Sequence, residues 1–344
     1  MRRLPLVMVA GALLNVGIAT ISAADTTTTT IPAATTTSPS TTVTTPQRHQ
    51  RIAALTGLPD PTALTKRRSA LTIKIDNTQE AHPQFGTNDA DVVYEEIVEG
   101  GITRLAAIFN SHLPPEVGPV RSVRRTDRQI VFPIGGIFGF SGGAQYAVKS
   151  IETAPVKLID QSNAGSAMFR DLSRPPPHNL IANPTLLMKE GGKVHTPPAL
   201  FTYVSKSSAH HGAPVGSFSV NFAAGYGTSY QWNAKTTSWD RSIFDKPDVT
   251  AAGKQVSPTN VIVMFVNYIG GVGVEGSYAQ MVGHGPVDIF SGGRLQKGTW
   301  FRAKIRLRTA YRSASGKVIA LRPGQTWVEL LATGETVSDY APKT

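Results

Sequence analysis

Residues 91–109 read DVVYEEIVEGGITRLAAIF, two runs of apolar, β-forming side chains separated by Glu99-Gly100-Gly101. The paired glycines supply the left-handed backbone positions of a tight turn, so the pattern predicts strand, turn, strand. After Arg104 the second run is apolar at every position, the mark of a strand covered on both faces. Glu95, Glu96, Glu99 and Arg104 then fall on neighbouring rungs near the turn, where opposite charges pair across the ladder. Upstream, residues 71–76 (LTIKID) alternate. Leu71, Ile73 and Ile75 face one way and Thr72, Lys74 and Asp76 the other, which places Lys74, Asp76 and Asn77 at the strand's carboxyl end. Downstream, residues 135–140 form another short apolar run, Ser141-Gly142-Gly143 breaks it, and AQYAVKSIE has a helical pattern. In GPVRSVRRTD (118–127), Ser122 suits a helix N-cap and would set Arg124, Arg125 and Asp127 in the first turns of a helix.

Residues 191–227 are richer in Pro, Ser, Gly and Ala, and beyond them the pattern is almost entirely of short strands: 230–233, 239–244, 260–268, 287–290, 299–306 and 326–331. Such spacing suggests a meander or small barrel. Alternation through residues 300–308 (WFRAKIRLR) sets Arg302, Lys304, Arg306 and Arg308 on one strand face, as a charged edge or an anionic-polymer track. The expected class is α+β. A layered mixed α/β domain occupies 51–195, a connecting segment 196–225, a mainly β domain 226–337 and a tail 338–344.

The first fifty residues do not fit a globular pattern. Arg2 and Arg3, an apolar run over 4–21 and Ser22-Ala23-Ala24 form a secretory signal peptide with cleavage near Ala24, although a run of that length also leaves a retained anchor open. Residues 25–50 are dominated by Thr and Pro. Large apolar side chains are too few there to offset the ordering entropy, so the segment reads as an extended, disordered linker. The expected location is extracytoplasmic, secreted or wall-associated.

Composition narrows the chemistry. The chain of 344 residues is 40% hydrophobic and 17% charged, ordinary for a globular protein, but carries 34 Lys and Arg against 23 Asp and Glu, a net charge of +11. Such a balance favours anionic partners. Cysteine is absent, which removes disulfides, Cys-based metal sites and Cys nucleophiles, and with them the lipid-bearing Cys of a lipoprotein. No HExxH, calcium-loop or Walker pattern occurs, and the spacings of His195, His210 and His211 match no metal site, so neither metal nor cofactor is expected.

The candidate acids and bases are Asp76, Glu95, Glu96, Asp127 and His178, the last on the Pro-rich loop FRDLSRPPPHNLIAN (169–183) with Asn179. The candidate ligand-binding set is Lys74, Asn77, Arg104, Arg121, Ser122, Arg124, Arg125, Ser141, Gly142, Gly143 and Asn179, since planar guanidiniums suit phosphate and carboxylate. Strand, Gly-Phe-Ser-Gly-Gly and helix also meet the nucleophile-elbow pattern at Ser141, with Asp160 or Asp171 and then His178 following in hydrolase order. A helix cap or an anion cradle explains the same run, and the alternating strand and helix series of that hydrolase fold is missing.

EEIVEGGITR, GPVRSVRRTD, KIDNT (74–78), FSGG (140–143) and PHNL (177–180) together resemble the YerB-like family of bacterial lipoproteins, over about residues 55–331. The resemblance implies a two-part layered α and β fold and an envelope location, and brings no established activity; the chain departs from the lipoprotein members in lacking Cys. Three functional readings follow. The protein binds an anionic wall polymer or other phosphate-bearing ligand in peripheral association with the envelope; or it is a hydrolase or transferase acting on a wall glycan or lipid-linked phosphate; or the charges form an ion-pair network that fixes the fold. Secretion and the lack of a base-stacking aromatic motif among the basic residues argue against nucleic acid.

Overall fold

The computed structural model describes residues 51–204, 211–223 and 226–340. The signal peptide and linker expected at 1–50, and His210, lie outside the described residues. The described residues belong to one compact unit.

The first half supplies β1 (Leu71–Asp76), β2 (Val92–Ile97), β3 (Thr103–Phe109), α1 (Arg125–Val131), β4 (Gly136–Phe140), α2 (Gln145–Ile151) and β5 (Val156–Asp160). A small hairpin, β6 (Met168–Arg170) and β7 (Leu180–Ala182), then leads into α3 (Pro184–Glu190). The expected hairpin forms between β2 and β3, with Gly100 and Gly101 at φ 77° and 75°, and both strands are buried throughout. The second half supplies β8 (Ser217–Ala223), β9 (Tyr226–Asn233), β10 (Ser238–Ile243), β11 (Asn260–Val266), β12 (Gly283–Ser291), β13 (Arg294–Arg302), β14 (Ala310–Ser313), β15 (Thr326–Ala332) and β16 (Val337–Tyr340). A mixed α/β first half and a mainly β second half are both present.

The second half forms the expected meanders, β11 to β14 and β8 to β10 each pairing antiparallel in chain order, but the first of them does not stand apart from the first half. Eleven strands form one sheet in the order β14-β13-β12-β11-β15-β2-β3-β1-β4-β5, with Ala213–Pro214 pairing at β13. β15 enters between the halves, parallel to β11 on one side and to β2 on the other, with Glu329 opposite Glu95. Its near-continuous apolar sequence is what a central parallel position demands. Only β8, β9, β10, β16 and Lys246–Pro247 form a separate five-stranded sheet.

Both faces of the large sheet are covered. Leu71, Ile73, Ile75, Val93, Leu105 and Trp327 join one core; Tyr94, Ala106, Ile108, Val328 and Leu330, with Ile130 of α1, join the other. α1 and α2 pack with β4 through Val131, Phe138, Phe140, Ala147 and Ile151.

Two local expectations are corrected. The basic stripe does not exist: the strand ends at Arg302, which is buried, while Lys304, Arg306 and Arg308 lie exposed in the following turn. The turn forms because the Arg302 guanidinium donates to the carbonyls of Gln129, at 2.8 Å, and Ile305, which gives a buried charge its partners only if the chain bends. Ser122 does not cap α1 either. Arg124 occupies the N-cap position, and its N–H donates to the Asp127 carboxylate at 2.6 Å.

Candidate functional site

β1 and β4 run parallel and in register over three rungs, Leu71 with Ile137 to Ile73 with Gly139, and then separate. Residues 119–123 fill the gap as an extra extended segment. Asp76 N–H donates to Pro119 O at 2.9 Å and Arg121 N–H to Lys74 O at 2.8 Å. On the other side Ser141 N–H donates to Arg121 O and Val123 N–H to Gly142 O, both at 2.9 Å. Gly118 opens the segment with φ 156°, and a Cβ there would sit 2.9 Å from the Leu180 carbonyl oxygen, so the close approach of β7 requires glycine. The sequence GPVRSV is thus wedged where two parallel strands part, the position at which open α/β sheets form ligand sites.

One face of β1, β2 and β3 carries Lys74, Asp76, Glu96 and Arg104 beneath this segment. Lys74 Nζ donates to Glu96 Oε1 and to Asp127 Oδ1 of α1, the latter at 2.9 Å, with all three side chains closed to solvent. Burial pushes the Asp127 carboxyl up to about 6, Lys74 opposing and Glu96 reinforcing the shift. Glu96 Oε2 has no partner.

Nearer the surface, Asp76 Oδ2 lies 2.8 Å from Arg121 Nε and accepts from His178 Nδ1 at 2.8 Å; its other oxygen accepts from Thr78 N–H at 3.2 Å. His178 therefore ties the β6–β7 loop to the end of β1. Arg104 Nη1 and Arg124 Nη1 both donate to the Ser122 carbonyl, at 3.2 and 3.4 Å, and Arg124 also grips Glu99 through two nitrogens, Nε to Oε2 at 2.7 Å. Arg104, Arg121 and Arg124 thus gather around one loop. Burial first, then the neighbouring Arg124 and Arg121 charges, lower the Arg104 guanidinium to about 10, and its Nε is buried without a partner. Burial alone would raise the Glu99 carboxyl, but Arg124 holds it below the usual range.

Other candidates fall elsewhere. Arg125 turns away, stacking 4.4 Å over the Tyr278 ring and donating to Gly276 O at 2.8 Å. Asn179 is buried and serves its own loop, accepting from Arg170 at 2.7 Å. Ser141 and Gly142 border the arginine segment through their backbones. α2 begins after Ala144, so Ser141 is not its cap, and among the described residues no hydrogen bond joins Ser141 to His178, Asp160 or Asp171. The elbow reading therefore lacks its catalytic partners.

Glu95 and Asn77 belong to a second buried network on the opposite face. Asn77 Nδ2 donates to Glu95 Oε1 at 3.0 Å, and Arg241 Nη2 to Glu95 Oε2 at 2.7 Å, while Arg241 also grips Asp248. Tyr230 donates to Glu329, whose carboxyl is pushed well above its usual range by burial and by the adjacent Glu95. Sequence reasoning missed Arg241, Asp248 and Glu329, and left Glu99 out of the site. The available signal was a charge inside an apolar strand, as for Glu329 in TWVELLA. Among the described residues no cluster of three or more His, Asp or Glu side chains could hold a metal ion.

A mixed sheet built from both halves of the chain, with an arginine segment wedged at its split, defines a class of two-part α+β proteins. The chain belongs to the family described as "Protein of unknown function (DUF3048)", whose N-terminal domain matches residues 55–196 and whose C-terminal domain matches 218–328. It is 28% identical over 306 residues to "Putative lipoprotein YerB" of Bacillus subtilis (strain 168), covering 81% of this chain and 86% of that one. The crystal structure of the YerB protein from Bacillus subtilis superposes with a TM-score of 0.73 at 24% identity, covering 84% of this chain and all of that one, which shows the shared fold.

Proposed function

We infer that the protein is an envelope-associated binding protein that holds an anionic group, a phosphate or carboxylate of a wall polymer, at Arg104, Arg121 and Arg124. The observation that carries this reading is the convergence of Arg104 and Arg124 on the single Ser122 carbonyl, with Arg104 Nε buried and unpartnered beside them. Among the described residues the ion pairs of these three guanidiniums are Arg121 with Asp76 and Arg124 with Glu99. A partly desolvated excess of positive charge is stabilised by an anion that accepts from two planar forks at once. Binding is favoured over turnover because Lys74, Glu96 and Asp127 are sealed between the sheet and α1 and Glu95 is bound to Arg241.

The envelope location rests on the leader-like first residues and on the lipoprotein name of the Bacillus relative, from which only the location is carried over. The deciding experiment is calorimetric titration of residues 48–344 with inorganic phosphate and with teichoic acid at low salt, where surface electrostatics are least screened. Saturable binding that Arg121→Ala and Arg104→Met both lose is the expected result. Unchanged binding in both variants, or none in the parent protein, overturns the reading.

A further inference from the structure

The hairpin between β10 and Lys246–Pro247 turns on Phe244 and Asp245, both in the left-handed region at φ 53° and 56°. Such a two-residue turn favours Asn-Gly or Asp-Gly, and a bulky aromatic at its first position is strained. The strain places the Phe244 ring between His82 and Tyr226. Both meet it edge-on, at 5.6 and 5.5 Å between ring centres. Strained residues kept against local preference mark places where a side chain's position matters.

Phe244 also divides two cavities. The first, of about 320 Å³, is mainly apolar, walled by Phe244, Pro83, Pro247 and Val249, with Gln79, His82 and Lys246 as its polar groups. The second, of about 280 Å³, is lined by small polar residues, among them Ser219, Asn221, Thr228 and Ser242. Thr228 is 3% exposed, and its Oγ1 has no hydrogen-bond partner. That hydroxyl is sealed on the buried face of β9, so the polar groups open to the second cavity are those of the other face, Ser219, Asn221, Ser229 and Ser242. Gly227 keeps that wall open, since a Cβ there would sit 2.8 Å from Asn221 Oδ1.

An aromatic ring flanked by one apolar and one hydroxyl-lined cavity suits a ligand with flat apolar faces and polar edges. Sugar rings have that character, and an acetamido methyl group fits the apolar side. The first cavity is joined to the end of β1 through the chain. Its wall at Gln79, His82 and Pro83 continues directly from Thr78, which touches Asp76 and His178, and His82 Nε2 lies 3.2 Å from Asn77 Oδ1.

We propose that the cavities on either side of Phe244 are adjacent subsites for the sugar rings of an acetamido-glycan whose anionic group sits at the arginine cluster. This names the ligand class for the binding reading above and rests on it for the anionic group alone; the sugar subsites stand on their own geometry.

The test uses two probes on residues 48–344: a neutral N-acetylglucosamine tetrasaccharide, and inorganic phosphate. Phe244→Asn removes the ring while keeping a residue that tolerates the left-handed turn, and Ser242→Ala removes one hydroxyl of the second cavity. The parent protein is expected to bind the tetrasaccharide saturably by calorimetry, each variant to lose tenfold or more of that affinity, and both to bind phosphate as the parent does with unchanged near-ultraviolet circular dichroism. Arg121→Ala is expected to lose phosphate and keep the tetrasaccharide. No binding of the tetrasaccharide by the parent, or parent-like affinity in Phe244→Asn, overturns the subsites. Loss of the tetrasaccharide in Phe244→Asn from a protein that never binds phosphate supports the subsites and removes the anion reading.

Discussion

The Arg124 N–H donates to one oxygen of the Asp127 carboxylate at 2.6 Å, while the other oxygen accepts from Lys74 Nζ at 2.9 Å. The buried Lys74, Glu96 and Asp127 group therefore anchors the backbone of the arginine segment, and does so across the sheet from which Lys74 also accepts the Arg121 N–H. Charges sealed from solvent here fix the geometry of charges that reach it.

That anchor has a pH signature. Asp127 titrates at about 6 in the folded protein, above the ordinary value near 4, so the native state holds the proton more tightly than the unfolded chain. The resulting stability is fully present below pH 4 and is lost as pH rises through 6, by about 3 kcal/mol at most. Asp127→Asn cannot ionise. The melting temperature of the parent relative to Asp127→Asn is expected to fall between pH 4 and pH 7, and a constant difference across that range would refute the assignment.

The two arginine environments should respond oppositely to truncation. Arg241 is fully buried between Glu95 and Asp248, so Arg241→Met strands two carboxylates and should cost about 3–5 kcal/mol in urea unfolding. Arg104 donates to one backbone carbonyl and is repelled by its neighbours, so Arg104→Met should cost no more than about 1 kcal/mol while abolishing phosphate binding. Equal losses of stability in the two variants would make the arginine cluster part of the scaffold.

The local pattern carried the β2–β3 hairpin, the alternation of β1 and the approach of Arg104, Arg121 and Arg124, because each depends on residues within a few positions or on one turn. What it could not carry was pairing at long range. Glu95 meets Arg241 across 146 residues, and β15, late in the chain, pairs with both β11 and β2. Strand alternation likewise extended the run at 300–308 past Arg302, since nothing in the sequence shows that this guanidinium will turn inward to the Gln129 carbonyl. The separation of β1 from β4, which creates the site, is a property of what inserts between them.

Glu329 provides a separate check on the buried face. Burial and the adjacent Glu95 hold its carboxyl protonated well above the usual range, so its contribution is present at low pH and declines as pH rises. Gln resembles the protonated acid. Glu329→Gln should match the parent near pH 4 and become progressively more stable than it as pH rises above about 5, by up to about 1.4 kcal/mol per pH unit until the folded carboxyl ionises, in denaturation followed at several pH values. A variant less stable than the parent at every pH would mean that Glu329 is ionised in the fold.

Glu99 occupies the Arg124 fork with a carboxylate that is 38% exposed and therefore accessible to exchange. A phosphate at the cluster competes with it, either displacing Glu99 or binding beside a like charge. Glu99→Gln removes that charge and leaves the fork weakly engaged. It should tighten phosphate binding about tenfold, or ~1.4 kcal/mol, at low ionic strength, with a smaller gain in 0.15 M salt as the charges are screened. Because Arg124 holds the Glu99 carboxyl below its usual value, acidification protonates it only below the ordinary carboxylate range, so the advantage of the variant should persist through pH 5 and shrink below it. Weaker phosphate binding in Glu99→Gln would instead show that Glu99 positions Arg124 for the ligand, and titration of both proteins at the two salt concentrations separates the cases.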